Sequence, residues 1–223
     1  MFTGIIQHIG SVHRLDNQGA TAQLEIECKL DTGDVQPGDS IAINGTCLTV
    51  TSFTTGPIAR LVFDLSPETL EKTTLGALRV LQNIHVEKAL RLSDRLGGHL
   101  VQGHVDGIGI LVNRENEGFA LKMRFACSRD ILNLCIQKGS ISIDGVSLTI
   151  NQIHETGFEV CLIPHSLEKT CLGTYQIGHR VNLENDLIGK YVERLLEHKK
   201  ESSEVTWNLL EKSGFIDKAP IMT

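Results

Sequence analysis

The chain has 223 residues and a mass of 24.5 kDa, which fits one large domain or two small ones. Its 41% apolar and 22% charged residues, with 21 Gly and 5 Pro, exclude the collagenous, low-complexity and disordered classes. A nucleic-acid partner is disfavoured by the net charge of −6, by the lack of a basic run longer than two residues and by the low share of aromatic residues, 4%. The same features disfavour a nucleic-acid-binding pair of barrels.

The first residues, 1–6 (MFTGII), have neither the basic region nor the apolar core of a signal peptide. The longest uncharged stretch, 40–59, is rich in Thr, Asn and Gly, so it is not a membrane span. The six cysteines form no C-x-x-C pair and lie at no zinc-binding spacing, which is typical of free thiols in a reducing compartment. These features predict a cytoplasmic protein without a membrane partner.

The chain repeats itself at an offset of 97–100 residues. The block 40–50 (SIAINGTCLTV) recurs at 140–150 (SISIDGVSLTI), and the block 70–76 (LEKTTLG) recurs at 167–173 (LEKTCLG). Such long repeats predict small domains rather than solenoid units. The predicted organisation is a first domain at 1–97, a second at 98–187 and a tail at 188–223, with the glycine pair at 97–98 ending the linker.

Within each repeat the pattern is that of β-strands. Apolar and polar residues alternate in 24–28 and 181–184, and the apolar parity flips at Asn44-Gly45 and at Asp144-Gly145, which indicates a tight turn or a bulge. A Ser66-Pro67 pair predicts a short helix start in the first repeat. About six short strands per repeat predict a mainly β fold of two tandem six-stranded antiparallel Greek-key-like β-barrels, followed by a C-terminal α-helix.

The tail has a helical period. Apolar residues at 187, 188, 191, 192, 195 and 196 form one stripe, and a second helical stretch is predicted at 205–212, with Ser203 as cap and Gly214 as stop. The stripe either associates with another copy of the chain or packs on its own barrels, and we favour self-association.

The two repeats differ where polar residues lie beside the turns. The matched pairs are Cys47 with Ser147, Asn44 with Asp144, Ile5 with His104 and Glu68 with His165. Small polar residues are common beside turns, so the residues alone indicate a two-barrel binding protein with an asymmetric pair of polar sites. No metal or cofactor is predicted, since His99 and His104 point to opposite faces of an extended segment and no glycine motif follows the strand-turn-helix order of a dinucleotide site.

Five motifs resemble the riboflavin synthase family, over about residues 1–190. They are 1–6 (MFTGII), 44–50 (NGTCLTV), 97–106 (GGHLVQGHVD), 143–149 (IDGVSLT) and 163–170 (IPHSLEKT). The resemblance implies a dismutation without cofactor or metal, the last step of riboflavin biosynthesis: two molecules of 6,7-dimethyl-8-ribityllumazine bind, one per barrel, and a four-carbon unit passes between them. The products are riboflavin and 5-amino-6-ribitylamino-uracil.

The resemblance also implies an assembly and a set of site residues. The family is a homotrimer held by the C-terminal helix, its productive site pairs the N-terminal barrel of one subunit with the C-terminal barrel of a neighbour, and association with lumazine synthase is a further implication. The residues tied to turnover correspond to Phe2, Ser40, Cys47, His104, Asp144, Ser147 and Asp186. The implied ligand contacts of the first barrel are Gly4, Ile5, Ile6, Cys47, Leu48, Thr49, Asp64, Leu65, Ser66, Pro67, Glu68 and Thr69. Those of the second are Gly103, His104, Val105, Lys138, Ser147, Leu148, Thr149, Ile163, Pro164, His165, Ser166, Leu167 and Glu168.

Some alternatives stay open at this point. The family's usual cysteine pair is Thr46-Cys47 here, so only Cys47 is carried over. The acidic 7-methyl group of the lumazine must lose a proton to a base and a nucleophile must add to the ring, but neither the nucleophile nor the donor barrel follows from the sequence. The main rival is a non-catalytic lumazine- or flavin-binding relative, disfavoured because both repeats keep their polar residues.

Overall fold

The fold is two closed six-stranded antiparallel β-barrels, as predicted. The computed structural model describes residues 1–201, 211, 213 and 214. The strands of the first barrel are β1 (His8–Gln18), β2 (Thr21–Cys28), β3 (Ser40–Ile43), β4 (Thr46–Thr54), β5 (Ala59–Leu65) and β6 (Asn83–Lys88). Those of the second are β7 (Gly107–Glu117), β8 (Ala120–Ala126), β9 (Ser140–Ile143), β10 (Val146–His154), β11 (Gly157–Leu162) and β12 (Arg180–Asn185). The helices are α1 (Pro67–Lys72), α2 (Arg129–Asn133), α3 (Pro164–Lys169) and α4 (Leu187–Glu201), with single 3₁₀ turns at Leu75–Ala77 and Leu172–Thr174.

Both barrels have the same strand order. In the first it runs β1-β2-β5-β4-β3-β6, so the consecutive strands β3, β4 and β5 lie side by side and β6 returns next to β3, which is a Greek key. The second barrel repeats this order with β7 to β12. Closure pairs the outer strands with each other, so neither barrel keeps an open sheet edge.

Each repeat has a core of its own. In β2 the inward positions Ala22, Leu24 and Ile26 are buried and alternate with more exposed polar residues, as the sequence predicts. The first core contains Phe63, and the second contains a pair of stacked phenylalanines whose ring centroids are 6.0 Å apart. Both barrels belong to one compact unit, Met1–Gly189.

The parity flips mark two-residue turns, as predicted. Asn44 and Gly45 have φ values of 44° and 74°, and Asp144 and Gly145 have 46° and 83°, which is the type I′ hairpin geometry. The two turns meet at the junction of the barrels, where a Cβ on Gly45 would lie 2.5 Å from the backbone nitrogen of Gly145. Glycine is therefore required for the two backbones to come this close.

The predicted helix at Ser66-Pro67 and the predicted tail helix are both present in the described part of the chain. Ser66 caps α1 by accepting a hydrogen bond from the backbone N–H of Thr69, and Pro67 takes the first helical position. The tail helix is α4, in which the apolar side chains at positions 188, 191, 192, 195 and 196 are exposed. The predicted stretch 205–212 lies outside the described residues apart from Glu211. None of the described helices is long and apolar enough to cross a membrane.

Candidate active site

Strands β6 and β12 bury polar residues where the two barrels meet. The alternation in 181–184 suggests that Asn182 and Glu184 face water, but each is only 2% exposed. Their counterparts in the first repeat, His85 and Glu87, are equally buried. The reason is tertiary: the outer face of each strand is covered by the other barrel, so a polar face here is an interface rather than a solvated surface.

The segments that precede each barrel are exchanged between the repeats. The carbonyl oxygen of Gly4 accepts a hydrogen bond from the backbone N–H of Ser147, and that of Gly103 accepts one from the N–H of Cys47, both at 2.8 Å. Each repeat therefore lays the part of its leading segment around this glycine on the opposite barrel. This corrects the sequence-based grouping: residues 4–6, assigned to the first barrel, lie against the second, and Gly103 lies against the first.

A cavity of about 340 Å³ opens at this place on the second barrel, within the size range of small-molecule sites. It brings together several of the predicted ligand-contacting residues, namely Gly4, Ile5, Ile6, Ser147, His165 and Ser166. Its lining also includes residues that the sequence analysis missed, namely Gln7, Val146, Lys169 and Thr170. The repeated LEKT block was a signal for the last two, because Lys169 ends α3 and Thr170 follows it directly.

Ser147 is hydrogen-bonded to His99, for which the sequence predicts no role in the site. The distance between Ser147 Oγ and His99 Nδ1 is 2.7 Å. Burial lowers the pKa of His99 below the ordinary 6.5, and the charge of Asp186 opposes this shift. His99 Nε2 is buried and has no hydrogen-bond partner among the described residues. A neutral imidazole next to a hydroxyl can accept and return a proton.

Cys47 holds the matching position in the first barrel but has a different environment. It is half-buried and packs against a small apolar cluster of Phe2, Ala42 and Val101. Phe2 is fully buried, and its backbone exchanges two hydrogen bonds with Val101, of 2.7 and 3.1 Å. The thiol of Cys47 therefore lies beside apolar side chains, whereas the hydroxyl of Ser147 is paired with an imidazole.

Asp144 lies inside the junction of the barrels rather than in the cavity next to Ser147. Its two carboxylate oxygens accept hydrogen bonds from the backbone N–H of Asn182 at 2.7 Å and from the hydroxyl of Tyr175 at 2.8 Å. Burial raises the pKa of Asp144 to about 7, and both hydrogen bonds oppose the shift. Asp144 also borders a cleft of about 510 Å³ between the barrels, together with His179 and Arg180.

The Asp144→Asn variant is expected to be more stable than the wild type at alkaline pH. The pKa of Asp144 rises from 3.8 to about 7 on folding, so the folded state binds more protons between these values and its stability falls as the pH rises through them. An amide, which the first repeat has at Asn44, avoids this cost. The gain in the free energy of unfolding should be near zero at pH 4 and on the order of 2–4 kcal/mol at pH 9. Urea unfolding at both pH values measures it, and an equal difference at the two would contradict the assignment.

The other residues that the resemblance ties to turnover are spread around the barrels. Ser40 borders a separate cavity of about 280 Å³ next to Asp34, Lys88 and Arg91. Asp186 accepts a hydrogen bond from the backbone N–H of Ile188 at the start of α4. His104 is exposed, in the leading segment that crosses the first barrel.

The remaining predicted ligand contacts lie at the strand ends and helix starts. Residues 64–69 run from the end of β5 into the first half of α1, and 163–168 include most of α3. Leu48 and Leu148 are buried in the two cores, whereas the threonines that follow them are exposed. Lys138 is exposed and has a φ of 68°, at the position where the first repeat has Gly38. Among residues 1–201, 211, 213 and 214, no three His, Cys, Asp or Glu side chains are grouped so that they could hold a metal ion.

The chain matches one family model and is similar to several known proteins. The family model of the lumazine binding domain matches residues 3–89 and 102–186. Riboflavin synthase of Actinobacillus pleuropneumoniae is 39% identical over 218 residues, which cover 96% of this chain and 100% of the relative. Riboflavin synthase of Mycobacterium bovis is 41% identical over 199 residues, which cover 88% and 98%. The crystal structure of LumP complexed with riboflavin has a TM-score of 0.73 at 26% identity, covering 83% of this chain and 99% of that chain.

Proposed function

This chain belongs to the riboflavin synthase family, and from that membership we propose that it catalyses the dismutation of two molecules of 6,7-dimethyl-8-ribityllumazine to riboflavin and 5-amino-6-ribitylamino-uracil. The observation that carries this proposal is the pair of equivalent sites with unequal chemistry. Each site is crossed by the leading segment of the other repeat, and one has a thiol where the other has a hydroxyl paired with an imidazole.

Two equivalent sites suit a reaction between two identical molecules. A protein that holds both rings in register makes a bimolecular step effectively unimolecular. This can lower the activation free energy of the reaction by up to about 7–11 kcal/mol. The unequal side chains suit the unequal roles of the two substrates, because one must give up a four-carbon unit and the other must accept it.

The pair of Ser147 and His99 is the base for the lumazine in the second barrel. The 7-methyl proton of the bound lumazine passes to the Ser147–His99 pair, whose burial keeps the imidazole unprotonated near neutral pH. Lys169, in the lining of the same cavity, provides a positive charge for the negative charge that develops on the ring. Cys47 contacts the lumazine bound by the first barrel, and the residues Phe2, Ser40, His104, Asp144 and Asp186 remain predicted contributors to turnover.

Incubation of the purified protein with the lumazine alone tests the proposal. Riboflavin absorbance should rise without any added cofactor, with one riboflavin formed for every two lumazine molecules consumed. A protein that is yellow because it binds the lumazine tightly, but that forms no riboflavin, would contradict the proposal. It would favour the non-catalytic rival.

The assembly proposed for this chain is a homotrimer held by α4. The support is the exposed apolar stripe of this helix, which includes Ile188, Val192 and Leu195. A productive site shared between the first barrel of one subunit and the second barrel of a neighbour is part of the same proposal. The cytoplasmic location and an association with lumazine synthase stay predictions from the sequence.

Deletion of residues 190–223 is expected to give a monomer that binds lumazine but has lost most of its turnover. The deletion leaves the compact unit Met1–Gly189 with both barrels intact, so each ligand site persists. Sedimentation and riboflavin formation measure the two properties. Val192→Asp should reproduce the deletion, whereas Glu193→Gln, also exposed on α4, is the control. A truncated protein that still sediments as a trimer would show that the barrels hold the oligomer.

A further inference from the structure

Glu87 holds the leading segment of the first repeat with three hydrogen bonds. One carboxylate oxygen accepts from the backbone N–H of Thr3 at 2.7 Å and from its hydroxyl at 2.6 Å, and the other accepts from the N–H of Gly4 at 3.1 Å. Glu87 is 3% exposed and lies on β6 of the first barrel. Burial raises its pKa, while the hydrogen bonds from Thr3 and Gly4 act in the opposite direction.

Glu184 makes the same arrangement in the second repeat. Its carboxylate oxygens accept from the backbone N–H of Gln102 at 2.7 Å and of Gly103 at 2.9 Å. Glu184 is 2% exposed and lies on β12, at the place in its repeat where Glu87 lies in the first. The arrangement therefore occurs twice, with different neighbours.

Gly4 and Gly103 connect these carboxylates to the opposite sites. The N–H of Gly4 is held by Glu87 of the first barrel, and its carbonyl oxygen is held by the backbone of Ser147 in the second. Gly103 is held in the same way between Glu184 and Cys47. Both glycines have positive φ, 75° and 80°, and a Cβ on either would lie 2.6 Å from the Cβ of Ser147 or Cys47.

The two segments return to their own barrels directly after the crossing. The backbone N–H of Gln7 donates to the carbonyl of Val86, and that of Asp106 donates to the carbonyl of Leu183. Only two residues, 5–6 and 104–105, therefore lie between the carboxylate-bound glycine and the next anchor. Their placement depends directly on how firmly the glycine is held.

We propose that Glu87 and Glu184 are positioning residues that act across the junction of the barrels, each fixing the leading segment of its own repeat over the ligand site of the other barrel. Glu87 controls the site at Ser147, and Glu184 controls the site at Cys47. That these sites bind lumazine rests on the proposed function. The effect of each glutamate on the site of the other barrel is a property of the fold, and it can be measured without a substrate.

The test measures thiol alkylation by iodoacetamide, read peptide by peptide with mass spectrometry. Glu184→Gln puts an amide N–H opposite the N–H of Gly103, which loosens the segment over Cys47. The alkylation rate of Cys47 should rise about tenfold, as expected for losing one charge-assisted hydrogen bond. Glu87→Gln should leave that rate within about twofold of wild type, since Gly4, which Glu87 holds, bonds to Ser147 and not to Cys47.

The reciprocal arm uses a thiol introduced by Ser147→Cys. In that background Glu87→Gln should raise the alkylation rate at position 147 about tenfold, and Glu184→Gln should leave it nearly unchanged. Thr3→Val removes one donor to Glu87 without altering the carboxylate and should give a smaller increase at position 147, whereas Thr3→Ser keeps the hydroxyl and is the matched control. If the Glu→Gln variants fold poorly, the comparison of Thr3→Val with Thr3→Ser still tests whether the hold of Glu87 on the leading segment affects position 147.

Cys28 reports global unfolding, because it is buried in the first core. Its alkylation rate should stay at the wild-type value in every variant that folds. The proposal is overturned if each variant alters the site on its own barrel, if both variants alter both sites equally, or if neither site responds. Failure of riboflavin formation with a crossed alkylation pattern would overturn the proposed function and leave this inference standing.

Discussion

Ser147→Ala and His99→Gln are each expected to lower riboflavin formation by about 10²- to 10³-fold while lumazine binding changes only a few fold. The reason is the 2.7 Å contact between the Ser147 hydroxyl, which lines the second-barrel cavity, and the His99 imidazole. Neither change removes the backbone of the 147–149 segment or the cavity lining that would bind the ring. Steady-state turnover and fluorescence titration with lumazine measure the two effects separately.

The pH profile distinguishes a base from a packing residue. Burial places the pKa of His99 below 6.5, so the imidazole stays unprotonated at neutral pH, and its protonation should lower turnover only at more acidic pH. His99→Gln should abolish this acid limb. Two controls should keep near-wild-type rates. His154→Gln lies on β10, the strand of Ser147, and Ser140→Ala lies on the neighbouring strand β9. A wild-type acid limb in His99→Gln would rule out the pair as the base.

The barrels could be predicted from the sequence because their signals are local. Period-two alternation, the Asn44-Gly45 and Asp144-Gly145 turns and the Ser66 cap each depend on neighbouring residues, and two copies of the pattern repeat the evidence. The exchange of the leading segments could not be predicted in the same way. It consists of backbone hydrogen bonds, such as the one from the N–H of Ser147 to the carbonyl of Gly4, between residues more than a hundred positions apart. Such bonds leave no residue-type signal apart from the glycine itself.

The polar residues between the barrels show a second limit of the sequence. His85 Nδ1 bonds to the carbonyl of Asp144 at 2.8 Å, and its Nε2 accepts from the N–H of Cys171 at 2.7 Å. Asn182 makes the same two kinds of bond, donating to the carbonyl of Asn44 and accepting from the N–H of Thr74. A histidine and an asparagine thus serve one role, because both present a donor and an acceptor to peptide groups. In an alternating strand these residues look solvent-exposed.

The same geometry explains why Cys47 and Ser147 are not interchangeable. Asp144 and His104, two of the residues by which the repeats differ, do not set the Ser147 hydroxyl apart, because the Asp144 carboxylate bonds to Tyr175 and Asn182 and the segment of His104 crosses the Cys47 side. The partner that sets the Ser147 hydroxyl apart is His99. A double swap of the thiol and the hydroxyl therefore should not restore activity, because the imidazole stays in the second barrel.

Gly4→Ala is expected to lower the free energy of unfolding by more than about 3 kcal/mol and to abolish most turnover, whereas Gly19→Ala should cost only about 1 kcal/mol. Both glycines have a φ of 75°, so the conformational penalty for an L-residue is the same. A Cβ at Gly19 meets nothing within 4 Å, while one at Gly4 would lie 2.6 Å from Ser147 Cβ and 2.8 Å from its backbone nitrogen. The alanine at position 4 must therefore push the leading segment off the second barrel, breaking the hydrogen bond to Ser147 and displacing Ile5 and Ile6 from the cavity lining. Urea unfolding and turnover of the two variants measure the difference, and equal losses at both positions would mean that the leading segment does not lie on the second barrel in solution.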